Sequence, residues 1–362
     1  MKILFYLGHP AHFHLFRNVI ISLSDKNEIF ILTKKKENLD ELLTKSGFKY
    51  NNLLPEGRKN SKLAIGFGLL KRDFRMFKFC LKNKPDIMVG TSPEICQVGK
   101  LLRIPSINVN EDDAGAVPLY AKFAYPFATE ILTPESCNNG KWNVKSIKYN
   151  SYHELAYLHP DIFKPDDNII VKYDIQKPYF ILRFSALNAY HDSGVSGINK
   201  SLGLKILEKL SARGNIYITS EKNLEPEFEK YRLNINPLDI HHIMAFSEIY
   251  IGDSQTMAAE SAVLGIPSLR LNDFVGRLSY LEELEQRYQL TFGFRPDNPE
   301  ALLSKIDELL NLKDIKTRWS DKRSKMLSEK INTSKFFTWF IEKYPGSKQI
   351  IHRNPDYQYK FR

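Results

Sequence analysis

Cysteine is scarce: Cys80, Cys96 and Cys137 are the only three in a chain of 362 residues. None stands in a CxxC pair, so neither a disulfide framework nor a zinc ribbon is written into the sequence, and a reducing cytoplasm fits best. Long apolar runs are missing too. No stretch approaches the ~20 residues that a membrane-crossing helix requires. The opening apolar run, residues 3–7, is too short for a secretory h-region and leads straight into a turn. Glycine and proline, 18 of each, are too few for a collagen-like or low-complexity chain. No short-period repeat is visible. What is left is globular composition, 43% hydrophobic and 26% charged, at a length that suggests two domains rather than one core.

Charge is unevenly spread. The formal net charge is +10, and residues 58–84 hold nine basic side chains against one acid, Asp73. Leu63, Ile65, Phe67, Leu69, Leu70, Phe74, Met76, Phe77, Phe79 and Leu81 are interleaved with them. Such a segment suits an anionic lipid surface, where cations feel the surface potential and aromatics enter the headgroup layer. The plain alternative is a helix with a solvated basic face. Nucleic acid is disfavoured, because no recognition motif accompanies the charge.

Short β-branched and aromatic runs alternate with longer helical ones, the mark of βα units and parallel sheets. Strands are expected at 3–7, 28–33, 87–89, 106–109 and 130–132, with a helix over 11–24 on the periodicity of Leu15, Val19, Ile20 and Leu23. A Pro- and Asp-containing stretch at 159–178 opens a second series. Its strands are expected at 179–184, 215–219, 248–251, 268–271 and 290–292, and its helices at 198–210, 254–264 and 301–310. A last helix over 334–344 precedes a basic, Tyr-containing tail.

Four constellations can carry chemistry. In the first, the strand 249–251 ends at Gly252, Asp253 or Ser254 caps the next helix, and the free amides there form a seat for phosphate. Glu260, one turn beyond Thr256, is placed to reach a nucleotide's sugar hydroxyl; the plain reading is an ordinary capped helix with a surface Glu. In the second, Arg183 can clamp a diphosphate bidentately. Ser185, Asn188 and His191 follow it in a loop that is either a site or simply solvated, and Ser220 and Glu221 fall on the same rim. The third is Gly8-His9-Pro10-Ala11-His12-Phe13-His14, three of nine histidines within six residues. A histidine there suits removal of a proton from an attacking hydroxyl. Zinc is the rival reading, and no H-E-x-x-H or Cys partner is near. The fourth is Glu111-Asp112-Asp113, three adjacent carboxylates that are solvated, paired with a cation or used for proton transfer.

Gly8-His9-Pro10-Ala11-His12-Phe13-His14-Leu15-Phe16, Tyr149-Asn150-Ser151-Tyr152-His153-Glu154-Leu155-Ala156-Tyr157-Leu158, Gly252-Asp253-Ser254-Gln255-Thr256-Met257-Ala258 and Trp339-Phe340-Ile341-Glu342-Lys343-Tyr344-Pro345 resemble a prokaryotic domain-of-unknown-function family. That family is itself similar to B-type glycosyltransferases (GT-B) and to non-hydrolysing UDP-N-acetylglucosamine 2-epimerases. The resemblance implies an α/β, GT-B-like fold: two facing Rossmann-like domains with parallel sheets and a nucleotide-sugar in the interdomain cleft. The epimerase phosphate motif Ser-Gly-Gly, with a Glu six residues after the Ser, maps onto Ser254 and Glu260, but Gln255 and Thr256 replace the glycines. Gly8-His9-Pro10-Ala11 lacks the arginine and glutamate of the epimerase first loop. A first-loop histidine instead resembles the general base of inverting GT-B transferases.

The resulting expectation is a cytoplasmic glycosyltransferase, peripheral on the membrane through 58–84. It would take a nucleotide-sugar donor, UDP-linked, and a glycan or lipid-linked acceptor, in surface polysaccharide or glycolipid biosynthesis. No cofactor, metal or nucleic acid is expected. Catalytic groups are expected at His12, His14 and Glu111. Donor contacts are expected at Gly8, His9, Arg183, Ser185, Asn188, His191, Ser220, Glu221, Asp253, Ser254, Gln255, Thr256 and Glu260. The alternatives are a 2-epimerase, using Glu111, Asp112 and His191, or a non-catalytic nucleotide-sugar-binding protein. Domains are expected at 1–165 and 166–333, with 334–362 a C-terminal helix and tail that can pack back on the first.

Overall fold

The computed structural model describes residues 1–36, 38–56, 62–184, 197–220 and 223–362, with side chains at all of these except 62–67. Two compact units divide the chain: Met1–His159 together with Lys330–Arg362, and Pro160–Glu329.

Unit 1 is a seven-stranded sheet: β1 (Lys2–Leu7), β2 (Glu28–Thr33), β3 (Asn51–Asn52), β4 (Ile87–Gly90), β5 (Ser106–Val109), β6 (Glu130–Pro134) and β7 (Ser146–Tyr149). The strand order is β3-β2-β1-β4-β5-β6-β7, and every pairing is parallel. Its helices are α1 (Pro10–Ser24), α2 (Leu39–Lys45), α3 (Lys62–Asn83), α4 (Pro93–Leu102), α5 (Pro118–Ala124) and α6 (Leu155–Leu158). Helices cover a parallel sheet on both faces, so its strands read as unbroken apolar runs. Ile3 to Leu7 are accordingly all buried. The β3 and β7 strands have no such run. Asn51 and Asn52 are polar, and β7 alternates half-buried Ser146 and Lys148 with buried Ile147 and Tyr149, as an edge strand does.

Unit 2 carries α7 (Asn168–Lys172), β8 (Tyr179–Arg183), α8 (Lys200–Ser211), β9 (Asn215–Thr219), α9 (Pro226–Glu229), α10 (Ile240–Met244), β10 (Tyr250–Gly252), α11 (Gln255–Leu264), β11 (Ser268–Leu271), α12 (Ser279–Gln286), β12 (Thr291–Phe294), α13 (Pro299–Leu310) and α14 (Ile315–Glu329). Its sheet runs β12-β11-β10-β8-β9, again all parallel. The α11 helix is buried from Ala258 to Leu264 and ends on Gly265 in the left-handed region (φ 80°), where only glycine is unstrained.

The chain then returns to unit 1 as α15 (Thr333–Glu342) and α16 (Gly346–Arg353). Polar side chains stitch this return into the sheet's far loops. Thr333 Oγ1 donates to Tyr152 O at 2.8 Å, Ser334 Oγ to Ala156 O at 2.8 Å, and the Asn150 amide to Gln358 Oε1 at 2.6 Å. The α15 helix packs its buried Phe336, Phe337, Phe340 and Ile341 face against α1 and α6.

Strand order reverses once in each sheet, between β1 and β4 in unit 1 and between β8 and β10 in unit 2. At such a switch point the flanking loops part, and ligands bind beyond the carboxyl ends of the strands. Gly8 follows β1 at the first, and Arg183 and Gly252 end the strands at the second.

Candidate functional site

The unit 2 switch point is closely built. Gly252 pairs with Arg183 of β8 and Arg270 of β11. A Cβ on residue 252 would lie 2.8 Å from the Arg183 carbonyl oxygen and 2.5 Å from the Tyr250 hydroxyl, so the strand passes here only as glycine. Ser254 is extended (φ −84°, ψ 121°), and its Oγ accepts the Met257 amide at 3.3 Å. That cap satisfies one of the amides a helix start leaves over and frees those of Gln255 and Thr256 for an anion at the positive end of the dipole. Residues 253–257 are half-buried, so this end is open rather than packed shut. Gln255 Nε2 donates to Asn272 Oδ1 at 2.5 Å, and Asn272 Nδ2 donates to Asp253 O at 3.3 Å. Asn272, buried after β11, thus locks the cap loop in place. Nothing in the local sequence pattern marks it.

Arg183, Asp253, Ser254, Gln255 and Thr256 are brought together at this end, and Ser220 follows the neighbouring strand β9. Glu260 is not the surface Glu of the plain alternative. It is buried, with Oε1 2.9 Å from His241 Nε2 of α10, so a sugar hydroxyl reaching it would share it with an imidazole. Ser185, Asn188, His191 and Glu221 lie outside the described residues.

At the unit 1 switch point, His9 caps α1 through Nδ1, which accepts the Ala11 amide at 3.2 Å. His12 Nδ1 accepts the Gly8 amide at 3.1 Å. A backbone amide can only donate, so the neutral His12 ring carries its hydrogen on Nε2. Burial, then the charges of His9, Lys34 and His153, push its pKa well below the usual 6.5. His12 therefore presents a neutral N–H donor, and this bonding works against the general-base role expected for it. His14 lies against Tyr157 and Phe13, with ring centroids 5.3 and 5.1 Å away, and packs α1 onto α6.

Glu111, at the end of β5, grips His153. Its Oε2 accepts the His153 amide at 3.3 Å, and its Oε1 lies 3.4 Å from Nδ1. Burial lowers the His153 pKa to about 4, against the opposing pull of Glu154 and Asp112. Burial raises that of Asp112. Asp113 serves the loop itself, accepting the Asn138 amide at 2.7 Å. Lys34 reaches across the first turn, where a Cβ on Gly8 would meet its Cε at 3.3 Å. Neither His153 nor Lys34 was singled out from the sequence. His153 stood inside a family motif with no chemical signal of its own, and Lys34 gains its place only when β2 pairs with β1. Among the described residues no group of three or more His, Cys, Asp or Glu side chains is arranged to hold a metal ion.

Solved structures place this architecture. The S. aureus MnaA-UDP co-structure matches with a TM-score of 0.69 at 14% identity, over 96% of this chain and 97% of that one. UDP-GlcNAc 2-epimerase of Methanocaldococcus jannaschii, in complex with UDP-GlcNAc and UDP, matches at 0.64 and 16%, over 90% and 99%. The glycotransferase of kitacinnamycin matches at 0.59 and 10%, over 94% and 98%. These identities speak for the fold alone, and the fold is that of GT-B-type epimerases and glycosyltransferases. Within that class, the chain belongs to the family described as protein of unknown function DUF354, whose model matches residues 1–277. Uncharacterized protein MJ0665 of M. jannaschii is 24% identical over 299 residues, 77% of this chain and 85% of that protein.

Proposed function

We propose that this chain is a glycosyltransferase that binds a UDP-sugar through unit 2 and transfers the sugar to a glycan or lipid-linked hydroxyl, in surface polysaccharide or glycolipid biosynthesis. The observation that carries the reading is the amino end of α11, open and capped by Ser254 beside Arg183 at the β8/β10 switch point. The first-turn amides and Arg183 would take up the charge of the departing diphosphate, the electrostatic part of such catalysis. The nucleotide-sugar is a substrate, and the reading calls on no separate cofactor or metal. Thermal shift with UDP and with UDP-sugars tests it: binding raises the midpoint by mass action, and Ser254→Ala should remove most of that gain. A second variant, Glu260→Gln, keeps a side chain against His241 and should also reduce the gain.

A second reading, a non-hydrolysing 2-epimerase, draws support from the solved epimerases. Against it stand the missing first-loop arginine and glutamate, and Gln255 and Thr256 where the epimerase motif has glycines. Deuterium uptake from heavy water into an intact UDP-sugar favours the epimerase; free UDP released only when an acceptor is present favours the transferase.

The acceptor side of the reading includes a cytoplasmic membrane face. No helix among the described residues is long and apolar enough to cross a bilayer. On unit 1, α4 packs on both α3 and α5, and Leu70, Phe74, Leu81, Leu101 and Leu119 are all more than half exposed on these three helices. Lys71, Lys78, Lys82, Lys84, Lys100, Arg103 and Lys122 are exposed in the same stretch. Among the described residues from 68 to 129 the one exposed acid is Asp86, and it accepts the Lys2 amide. Cations around projecting apolar side chains suit anionic headgroups over an acyl layer. Sedimentation with vesicles of phosphatidylglycerol against phosphatidylcholine checks this: equal binding to both, or to neither, removes the membrane from the reading.

A further inference from the structure

At the amino end of β12, away from the carboxyl ends that form the switch point, unit 2 holds an open cavity of about 710 Å³. It lies between the last turns of α12 and α13, the start of β12 and one face of α14. Small-molecule sites span roughly 300–1,000 Å³. Arg318 and Lys322 stand one turn apart on the lining face of α14, and Lys305 of α13 is a third cation on the wall. Like charges at this spacing repel along a helix, so the arrangement is unfavourable unless something answers it.

The acids of the wall answer it only in part. Glu285 is engaged by buried Arg270 at 2.9 Å and by the Gly293 amide at 3.0 Å. Glu308 is engaged by Lys305 at 2.6 Å. Asp321 is exposed and turned about 100° from Lys322 around the helix. Neither Arg318 nor Lys322 makes an ion pair among the described residues. The imbalance shows at Lys322: burial lowers its pKa most, Lys305 and Arg318 lower it further, and Glu308 opposes them least. Both lysines are nonetheless held in place. Lys322 Nζ lies 3.9 Å from the Trp319 ring centroid and donates to Gln289 O at 3.0 Å, and Lys305 Nζ lies 4.5 Å from the Phe292 ring centroid.

We propose that this cavity is a second ligand site, for an organic phosphate whose anionic group is gripped by Arg318 and Lys322, with Lys305 as the third cation. A guanidinium takes two phosphate oxygens at once, and an ammonium adds a compact point charge. The cavity is far larger than a bare phosphate needs, and Leu309 and Leu312 give its wall an apolar side for the ligand's body. The site goes beyond the glycosyl-transfer reading and stands without it. Every residue it uses belongs to unit 2, and none belongs to the Ser254 cap or to Arg183.

Phenyl phosphate and inorganic phosphate are the probes, titrated calorimetrically into the full-length protein at pH 7 and constant ionic strength. Phenyl phosphate should bind and raise the thermal midpoint. Arg318→Gln and Lys322→Gln should each weaken it at least about tenfold, as the loss of a charge-assisted hydrogen bond does. Arg318→Gln removes a repulsion and no ion pair, so the ligand-free midpoint should not fall and lost binding is not unfolding. Lys316→Gln, on the same helix but already paired with Glu248, should bind like the wild type, and so should Ser254→Ala. Binding lost in Ser254→Ala and kept in Arg318→Gln places the phosphate at the switch point and overturns the proposal. Absence of binding overturns it too, as does binding that Arg318→Gln and Lys316→Gln weaken alike, the mark of an unspecific cationic surface. Equal affinity for inorganic phosphate overturns the assignment to an organic ligand. A wild-type chain that binds phenyl phosphate but not UDP sinks the UDP-sugar reading and leaves this site standing.

Discussion

A methyl group on residue 252 has nowhere to go: the Tyr250 hydroxyl, the Arg183 carbonyl oxygen and the Arg183 Cβ all lie within 3 Å of where it would sit. Gly252→Ala must therefore force β8 and β10 apart. Overpacking of this kind costs about 1–3 kcal/mol, to be read from urea midpoints, and the UDP-induced thermal shift should shrink further because the cap loop moves with the strand. His153 makes a prediction of opposite character, visible only with pH. Its pKa is about 4 in the folded chain against 6.5 when exposed, so the unfolded chain takes up the proton first. Stability is therefore lost as pH falls from 6.5 toward 4 and is unaffected above that window. The full shift is worth about 3 kcal/mol. Relative to His153→Gln, the wild type should lose that much between pH 7 and 4; a constant difference between the two would show that the ring is not held neutral.

Elements with one dominant signal were legible in the sequence, and elements defined by their neighbours were not. The run 3–7 is apolar throughout and became β1, and the Leu15, Val19, Ile20, Leu23 spacing became the buried stripe of α1. The two-residue β3 and the alternating edge strand β7 carry too little hydrophobic pattern to stand out. The same division holds at the site. Gly252 followed by Ser254 is a local signal for a strand running into a capped helix, whereas Asn272, Lys34 and the Glu111–His153 contact exist only because separate loops meet. A helix over 334–344 that can pack back on the first domain was legible, but not which element of that domain it meets. That element is α1, and Phe336 of α15 is fully buried, its ring 5.9 Å from Tyr149 and 5.7 Å from Phe361. Phe336→Ala should cost about 3–5 kcal/mol, measured by denaturation, with UDP binding by the surviving folded fraction unchanged.

At the level of the whole molecule, one plan is used twice. Each unit is a parallel sheet with a single reversal of strand order, and each places its polar chemistry where that reversal occurs. The groups themselves differ: Arg183 and helix amides at one, histidines and a carboxylate at the other. Removing residues 330–362 should separate them experimentally. Unit 1 would lose the Thr333, Ser334 and Gln358 bonds along with the α15 face, while unit 2 ends at Glu329 and keeps all its strands. Protease digestion of the truncated chain should therefore leave a resistant fragment close to residues 160–329.

The return of the last segment to the first unit also sets an order of events at the ribosome. Domains ordinarily mature as they emerge, the amino-terminal one first. Here the first unit to begin is the last to be completed. The inserted unit 2 emerges before the strap that closes the older half, so a nascent chain should hold a finished second half while the first is still unsealed.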